Sequence, residues 1–131
     1  MRERGGSGTR PYAFQKLAMT EPRLKTEIWA AALIRRWNQN TAVVATLVRR
    51  GDGDAGTVLL KISRLDGTAT VLSQTVNAEG NRAWLRGTGA SPVADADAEA
   101  YIQRQRKRDP DLWVIEIEDR RGLFAPDEPV I

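Results

Sequence analysis

Between residues 57 and 64 apolar and polar side chains alternate. Val58, Leu60 and Ile62 fall on one side of an extended chain, Leu59, Lys61 and Ser63 on the other. The same period runs through Asp111–Asp119, with Trp113, Ile115 and Ile117 facing one way and Val114, Glu116 and Glu118 the other. Thr41–Arg50, rich in Val and Thr, and Ala69–Val76 are also predicted strands, with a shorter one at Asn81–Arg86. Leu65-Asp66-Gly67-Thr68 places Asp-Gly between two of these runs and predicts a hairpin. The cluster Asp52-Gly53-Asp54-Ala55-Gly56 predicts a turn between the first two strands.

Helical spacing appears twice. Across Pro22–Asn38, Ala30, Leu33, Ile34 and Trp37 share one face, with Trp29 on its flank. Thr20 is the expected N-cap, Pro22 sits in the first turn, and Arg35 and Arg36 suit the negative C-terminal end of the dipole. The second helix is expected to start at the Ser91 cap with Pro92 at its first position. Its N-terminal half carries Asp95, Asp97 and Glu99, and its end carries Arg104, Arg106, Lys107 and Arg108. Ala94, Ala98, Tyr101, Ile102 and Gln105 trace its inner stripe, and Asp109-Pro110 stops it.

Helix, three-strand meander, short strand, helix, strand: this order predicts an α+β two-layer sandwich. Its sheet is mostly antiparallel, of four to five strands, with two helices packed on one face, that of Trp113. The 131 residues suffice for one domain, expected over 19–125, with a disordered basic tail at 1–18 and an irregular C-terminal tail at 126–131.

Composition narrows the chemistry. The chain has no cysteine and no histidine, which removes disulfides, zinc sites of the Cys/His type and Cys–His or Ser–His catalytic pairs. The net charge of +3 belongs to residues 1–18, where Arg2, Arg4, Arg10 and Lys16 face Glu3 alone. From Met19 onward 16 basic and 16 acidic side chains cancel. No apolar run is long enough for a signal peptide or a membrane helix, so a cytoplasmic location is expected.

Five groups of residues invite a functional reading. Arg49 and Arg50, beside the turn that holds Asp54, could grip a phosphate or carboxylate, although a solvated hairpin turn with weak Arg–Asp pairs is the favoured explanation. Lys61 and Arg64 lie on or beside a strand, and Lys61 is expected to form a cross-strand pair with a glutamate such as Glu116. Asp109, Asp111, Glu116, Glu118 and Asp119 lack the spacing of a calcium loop and are read as structural, so no metal or other cofactor is expected. Trp29, Trp37 and Trp113 fall on inner faces, whereas Trp84, set between Arg82 and Arg86, is expected to be partly exposed. The basic helix end Arg104–Arg108 is expected to be a solvated, dipole-matched terminus that could also meet phosphates.

The ordered series Arg23–Trp29, Ala32–Arg36, Arg49-Arg50-Gly51-Asp52 with Asp54-Ala55-Gly56, Lys61, Arg64 with Asp66-Gly67, and Asp109–Asp119 resembles the bacterial domain-of-unknown-function family 1491. The resemblance covers roughly residues 23–120. It implies a small single-domain α+β protein with no established activity, and hence no catalytic residue to carry over.

The expected function is therefore that of a non-enzymatic binding module for a partner protein or a small anionic ligand. Its site residues would be Arg49, Arg50, Asp54, Lys61, Arg64 and Trp84. One alternative is weak nucleic-acid binding through Arg82, Arg86, Arg104, Arg106, Lys107 and Arg108 with the basic tail. A second alternative is an enzyme pairing Lys61, or Arg49 and Arg50, with Glu116 or Glu118. No membrane partner is expected, and the sequence leaves the oligomeric state open.

Overall fold

The two best alternating segments become the two central strands. The computed structural model of the chain describes residues 24–131. The expected basic tail, the Thr20 cap and the helix start at Pro22 lie outside these residues. In chain order the elements are α1 (Thr26–Asn38), β1 (Val44–Arg49), β2 (Val58–Ser63), β3 (Thr68–Val76), β4 (Arg82–Arg86), β5 (Val93–Ala94), α2 (Asp95–Arg108) and β6 (Trp113–Glu118). The α+β class and the mostly antiparallel sheet are as expected, with six strands rather than four or five.

The strand order is β1-β6-β2-β3-β4, and β5 pairs with the start of β3. β6 is inserted between β1 and β2, antiparallel to the first and parallel to the second, so the expected β1–β2–β3 meander does not form. Burial explains the insertion. A middle strand is covered on both faces, and β6 has Trp113, Val114, Ile115 and Ile117 all buried. β1, with Val44 and Thr46 exposed, suits an edge. Residues 50–57 are therefore not a hairpin turn. They cross the start of β6, where Trp113 N–H donates to Thr57 O (2.8 Å) and Asp52 N–H donates to Asp111 O (2.9 Å). A Cβ on Gly51 or Gly56 would overlap the Asp111 carbonyl oxygen, so this crossing needs glycine at both positions.

The hairpin predicted at Leu65–Thr68 does join β2 to β3, with Leu65 (φ 59°) and Gly67 (φ 90°) in left-handed conformations. The Thr68 hydroxyl and N–H both donate to Asp66, holding its carboxyl below the ordinary carboxylate value.

The helices lie on opposite faces of the sheet, not together on one. Ala30 and Leu33 of α1 pack with Val58, Leu60, Leu72, Trp113, Ile115 and Ile117. Ala98 and Ile102 of α2 pack with Leu59, Ala69, Val71 and Val114. Leu59 and Leu60 are adjacent on β2 and belong to different cores, which is the geometry of a strand buried on both sides. The second face was legible in the sequence: Leu59, Val71 and Val114 are apolar where a solvated face would be polar.

α2 starts at Asp95, not at a Ser91 cap. Val93 and Ala94 extend the ladder beside β3, and Asp95 N–H donates to Gly67 O (2.9 Å). α1 likewise has no side-chain cap, because Lys25 occupies the N-cap. Its first N–H groups are taken by the crossing loop, Thr26 donating to Asp54 O (3.2 Å) and Glu27 to Gly53 O (3.0 Å). At the other end of the chain, Trp84 N–H donates to Pro129 O and Ile131 N–H donates to Trp84 O, both at 2.8 Å, so residues 129–131 line the outer edge of β4.

Candidate functional site

The loop that crosses β6 also builds one wall of a cleft of about 380 Å³. Asp54–Thr57 form that wall. Gln74–Val76 of β3 and Arg82 of β4 form the other, and Leu24 and Thr26 close one end. Thr26 is fixed by its hydroxyl, which donates to Gly56 O (3.0 Å). Asp54 sits 3.6 Å from Lys25 on an exposed lip. The Arg82 guanidinium lies 5.2 Å from the Trp29 ring centroid, and Trp29 in turn packs 6.0 Å from Trp84.

Gln74 is the unusual member of this wall. It alternates with Leu72 on the face covered by α1, a position where the pattern calls for an apolar side chain. Its Oε1 accepts from Val58 N–H (3.3 Å), while its buried Nε2 donates to nothing. A buried donor without an acceptor costs more than a made hydrogen bond contributes, so such an atom calls for an explanation. Gln74, Thr57 and Thr75 belong to no sequence motif. The one signal available was an amide at an inward strand position.

Of the six residues expected to bind a ligand, only Asp54 lines this cleft. Arg49 donates to the carbonyl oxygens of Leu112 and of Pro110 (2.8 Å), clasping the turn before β6. Arg50 pairs with Glu27 at 2.9 Å and lies 5.0 Å from the Trp113 ring centroid, so the two arginines diverge to structural contacts. Arg64 stands against Gly122, with its buried Nε unpartnered. Trp84 is only 1% exposed, contrary to the expectation of a partly exposed ring. What buries it is remote in sequence: Trp29 of α1 on one side and Glu128, whose carboxylate accepts its Nε1–H (2.9 Å), on the other.

Lys61 is 6% exposed, beneath α2. It stands opposite Glu116 in the parallel register, as expected of neighbouring strands. Its ammonium, however, bonds to Asp95 (2.7 Å) and Glu99 (2.6 Å) of α2 rather than to Glu116. Burial pulls this ammonium towards its neutral form. The hydrogen bonds and charges of Asp95 and Glu99 more than offset that pull and leave its pKa above the ordinary lysine value. A lysine acting as base or nucleophile needs the opposite shift. Lys61, Glu99, Glu116, Arg49 and Arg106 border one small groove of about 130 Å³.

The residues of the nucleic-acid reading do not converge. Arg82 and Arg86 share the Trp84 side of β4, the face of α1, whereas Arg104, Arg106, Lys107 and Arg108 belong to α2 on the other face. Among the described residues no group of three or more carboxylates is placed to hold a metal ion. Asp119, buried at the end of β6, accepts the N–H groups of Leu123 (2.8 Å) and Phe124 (2.9 Å). No described helix is long and apolar enough to cross a membrane.

The sequence pattern of the DUF1491 family, proteins of unknown function, matches residues 24–124. The chain belongs to the DUF1491 family. A crystal structure of a DUF1491 family protein from Caulobacter crescentus CB15 superposes with a TM-score of 0.72 at 42% identity, covering 83% of this chain and 100% of that one. An NMR structure of a DUF1491 family protein from the same organism gives 0.69 at 43% identity, over 82% of this chain and 96% of the other. The solution structure of protein Atu0922 from A. tumefaciens gives 0.62 at 27% identity, over 73% and 86%. No curated protein matches the chain. DUF1491 membership agrees with the fold, and it carries no activity with it.

Proposed function

We propose that this DUF1491 protein is a non-enzymatic module that binds a small anionic ligand in the cleft between residues 54–57 and 74–76. The supporting observation is the Gln74 Nε2 donor, buried at the cleft wall without an acceptor. A small movement of the amide would let a carboxylate or phosphate oxygen supply that acceptor. Arg82 on the same wall gives the charge that favours an anion. The reading keeps the class of ligand expected from the sequence and moves its site from Arg49 and Arg50 to Gln74 and Arg82.

The test is a two-dimensional NMR titration of the full chain with a panel of small carboxylates and phosphates, repeated on Gln74→Leu. Shift changes confined to residues 54–57, 74–76 and 82, and lost in the variant, are the expected result. The reading fails if no anion shifts these amides at millimolar concentration, or if Gln74→Leu binds as well as the parent.

A further inference from the structure

We infer that the cleft holds the carboxyl-terminal end of an extended peptide, added as a short strand antiparallel to β3. The inference rests on the anion-binding reading above and names the molecule that carries the anion. Its ground is the place where the β2–β3 ladder stops. Along a strand, the main-chain groups of successive residues point alternately to one neighbouring strand and to the other. Arg64 N–H donates to Thr68 O (3.1 Å). Counting on through Ile62↔Thr70 and Leu60↔Leu72, the next hydrogen-bonded pairs of a continued ladder would be Val58 with Gln74 and Gly56 with Val76. The paired register ends at Leu59↔Ser73 instead, and the Gln74 side-chain oxygen takes the Val58 N–H (3.3 Å). Gly56 has left the ladder altogether. Its N–H donates to Asp52 O (3.2 Å) and its C=O accepts the Thr26 hydroxyl (3.0 Å). On the other side of β3, Asn77 N–H donates to Asn81 O (2.8 Å). Val76, one residue earlier, therefore turns its N–H and C=O away from β4 and towards the cleft that it lines.

An N–H and a C=O presented by one strand residue match one residue of another extended chain. Running antiparallel to β3, that chain heads towards Gln74. There β2 begins at Val58 and already fills the track, so the incoming chain has to end opposite Val76. A chain end supplies a carboxylate at that point. One of its oxygens accepts from Val76 N–H, and the other reaches Gln74 Nε2, the buried donor of the cleft wall. Arg82, opposite Val76 in the β3–β4 register, adds positive charge. The N–H of the peptide's last residue donates to Val76 C=O. Its side chain falls on the same face of the sheet as that of Val76, towards Leu24. Val76 is 50% exposed and Leu24 59%, so an apolar last residue fits. A small anion would meet the donors alone and leave Val76 C=O and both apolar side chains to water.

The probe is N-acetyl-Ala-Ala-Val with a free carboxylate, titrated into the full chain and followed by two-dimensional NMR. Acetate, the C-terminal amide of the same peptide and the peptide N-methylated at its last residue run beside it. The free acid is expected to shift the Gln74 and Val76 resonances, to slow exchange of the Val76 amide and to bind about tenfold or more tightly than acetate. The amide, which lacks the charge, and the N-methyl peptide, which lacks the donor to Val76 C=O, should each bind about tenfold or more weakly than the free acid. If acetate shifts the cleft amides and the free acid binds no more tightly, or no better than either blocked peptide, the inference is overturned while the anion site stands. If neither acetate nor the free acid moves residues 54–57, 74–76 and 82 at millimolar concentration, both readings fall.

Discussion

Lys61 carries the sharpest electrostatic constraint on a single side chain. It ties α2 to the sheet through two half-exposed carboxylates, so Lys61→Met is expected to cost about 1–2 kcal/mol, measurable by urea denaturation. Because its folded pKa is raised, its contribution is complete below the unfolded value of about 10.4 and is lost as pH rises through the folded value. Stability of the parent should therefore fall above about pH 10.4 more steeply than that of Lys61→Met. Gly56 sets a steric constraint of a different kind. An added methyl meets the Asp111 carbonyl and the Trp113 ring rather than a yielding side chain. Gly56→Ala should lower stability by about 2–3 kcal/mol in thermal unfolding. At this scale the sequence was least informative. Trp84 reads as partly exposed because its segment has no other large apolar residue except Leu85, and the residues that bury it are dozens of positions away. Gln74 stood in plain view as an amide on an inward face, yet nothing local told a reader that half of it would lack a partner.

Among the elements, β1 shows how an edge is protected. The side chain of Asn38, the last residue of α1, accepts from Ala45 N–H (2.7 Å) and donates to Ala45 C=O (2.9 Å). The amide thus imitates a neighbouring strand and occupies the position where another chain would start to pair. Asn38→Ala removes both bonds. It should cost about 1–2 kcal/mol, raise the exchange rate of the Ala45 amide and increase aggregation on heating, which light scattering would follow. The irregularity between Leu47 and Arg49 further spoils the edge as a template. Existence and type of these elements were legible because periods of two and of 3.6 are local properties, and the alternation in β2 and β6 predicted their two faces residue by residue. Order was not. The segment 50–57 reads as a hairpin turn by composition, and only the burial of β6 on both faces makes it a crossing. Likewise α2's narrow stripe of Ala98 and Ile102 says that one side is buried without saying against which face.

For the molecule as a whole, the two edges of the sheet are guarded by different means, β1 by the Asn38 amide and β4 by the chain's own residues 129–131. Truncation after Ala125 removes the bonds to Trp84 and the Arg36–Asp127 ion pair (2.6 Å). It should lower the melting temperature by several degrees or more and shift tryptophan emission to longer wavelength as Trp84 meets water. Parent-like emission from the truncated chain would show that α1 alone buries the indole. The placement of β6 also has a consequence in time. A ribosome delivers β1 through α2 first, yet Val44 must wait for Glu118, and β2 has no neighbour on its β1 side until Trp113–Glu118 arrive. During synthesis the β2–β3 hairpin and β4 can assemble early, while β1, with its valines and leucine, stays unpaired until the final strand threads between. A nascent chain stalled before Trp113 should therefore be the species that chaperones hold and proteases cut.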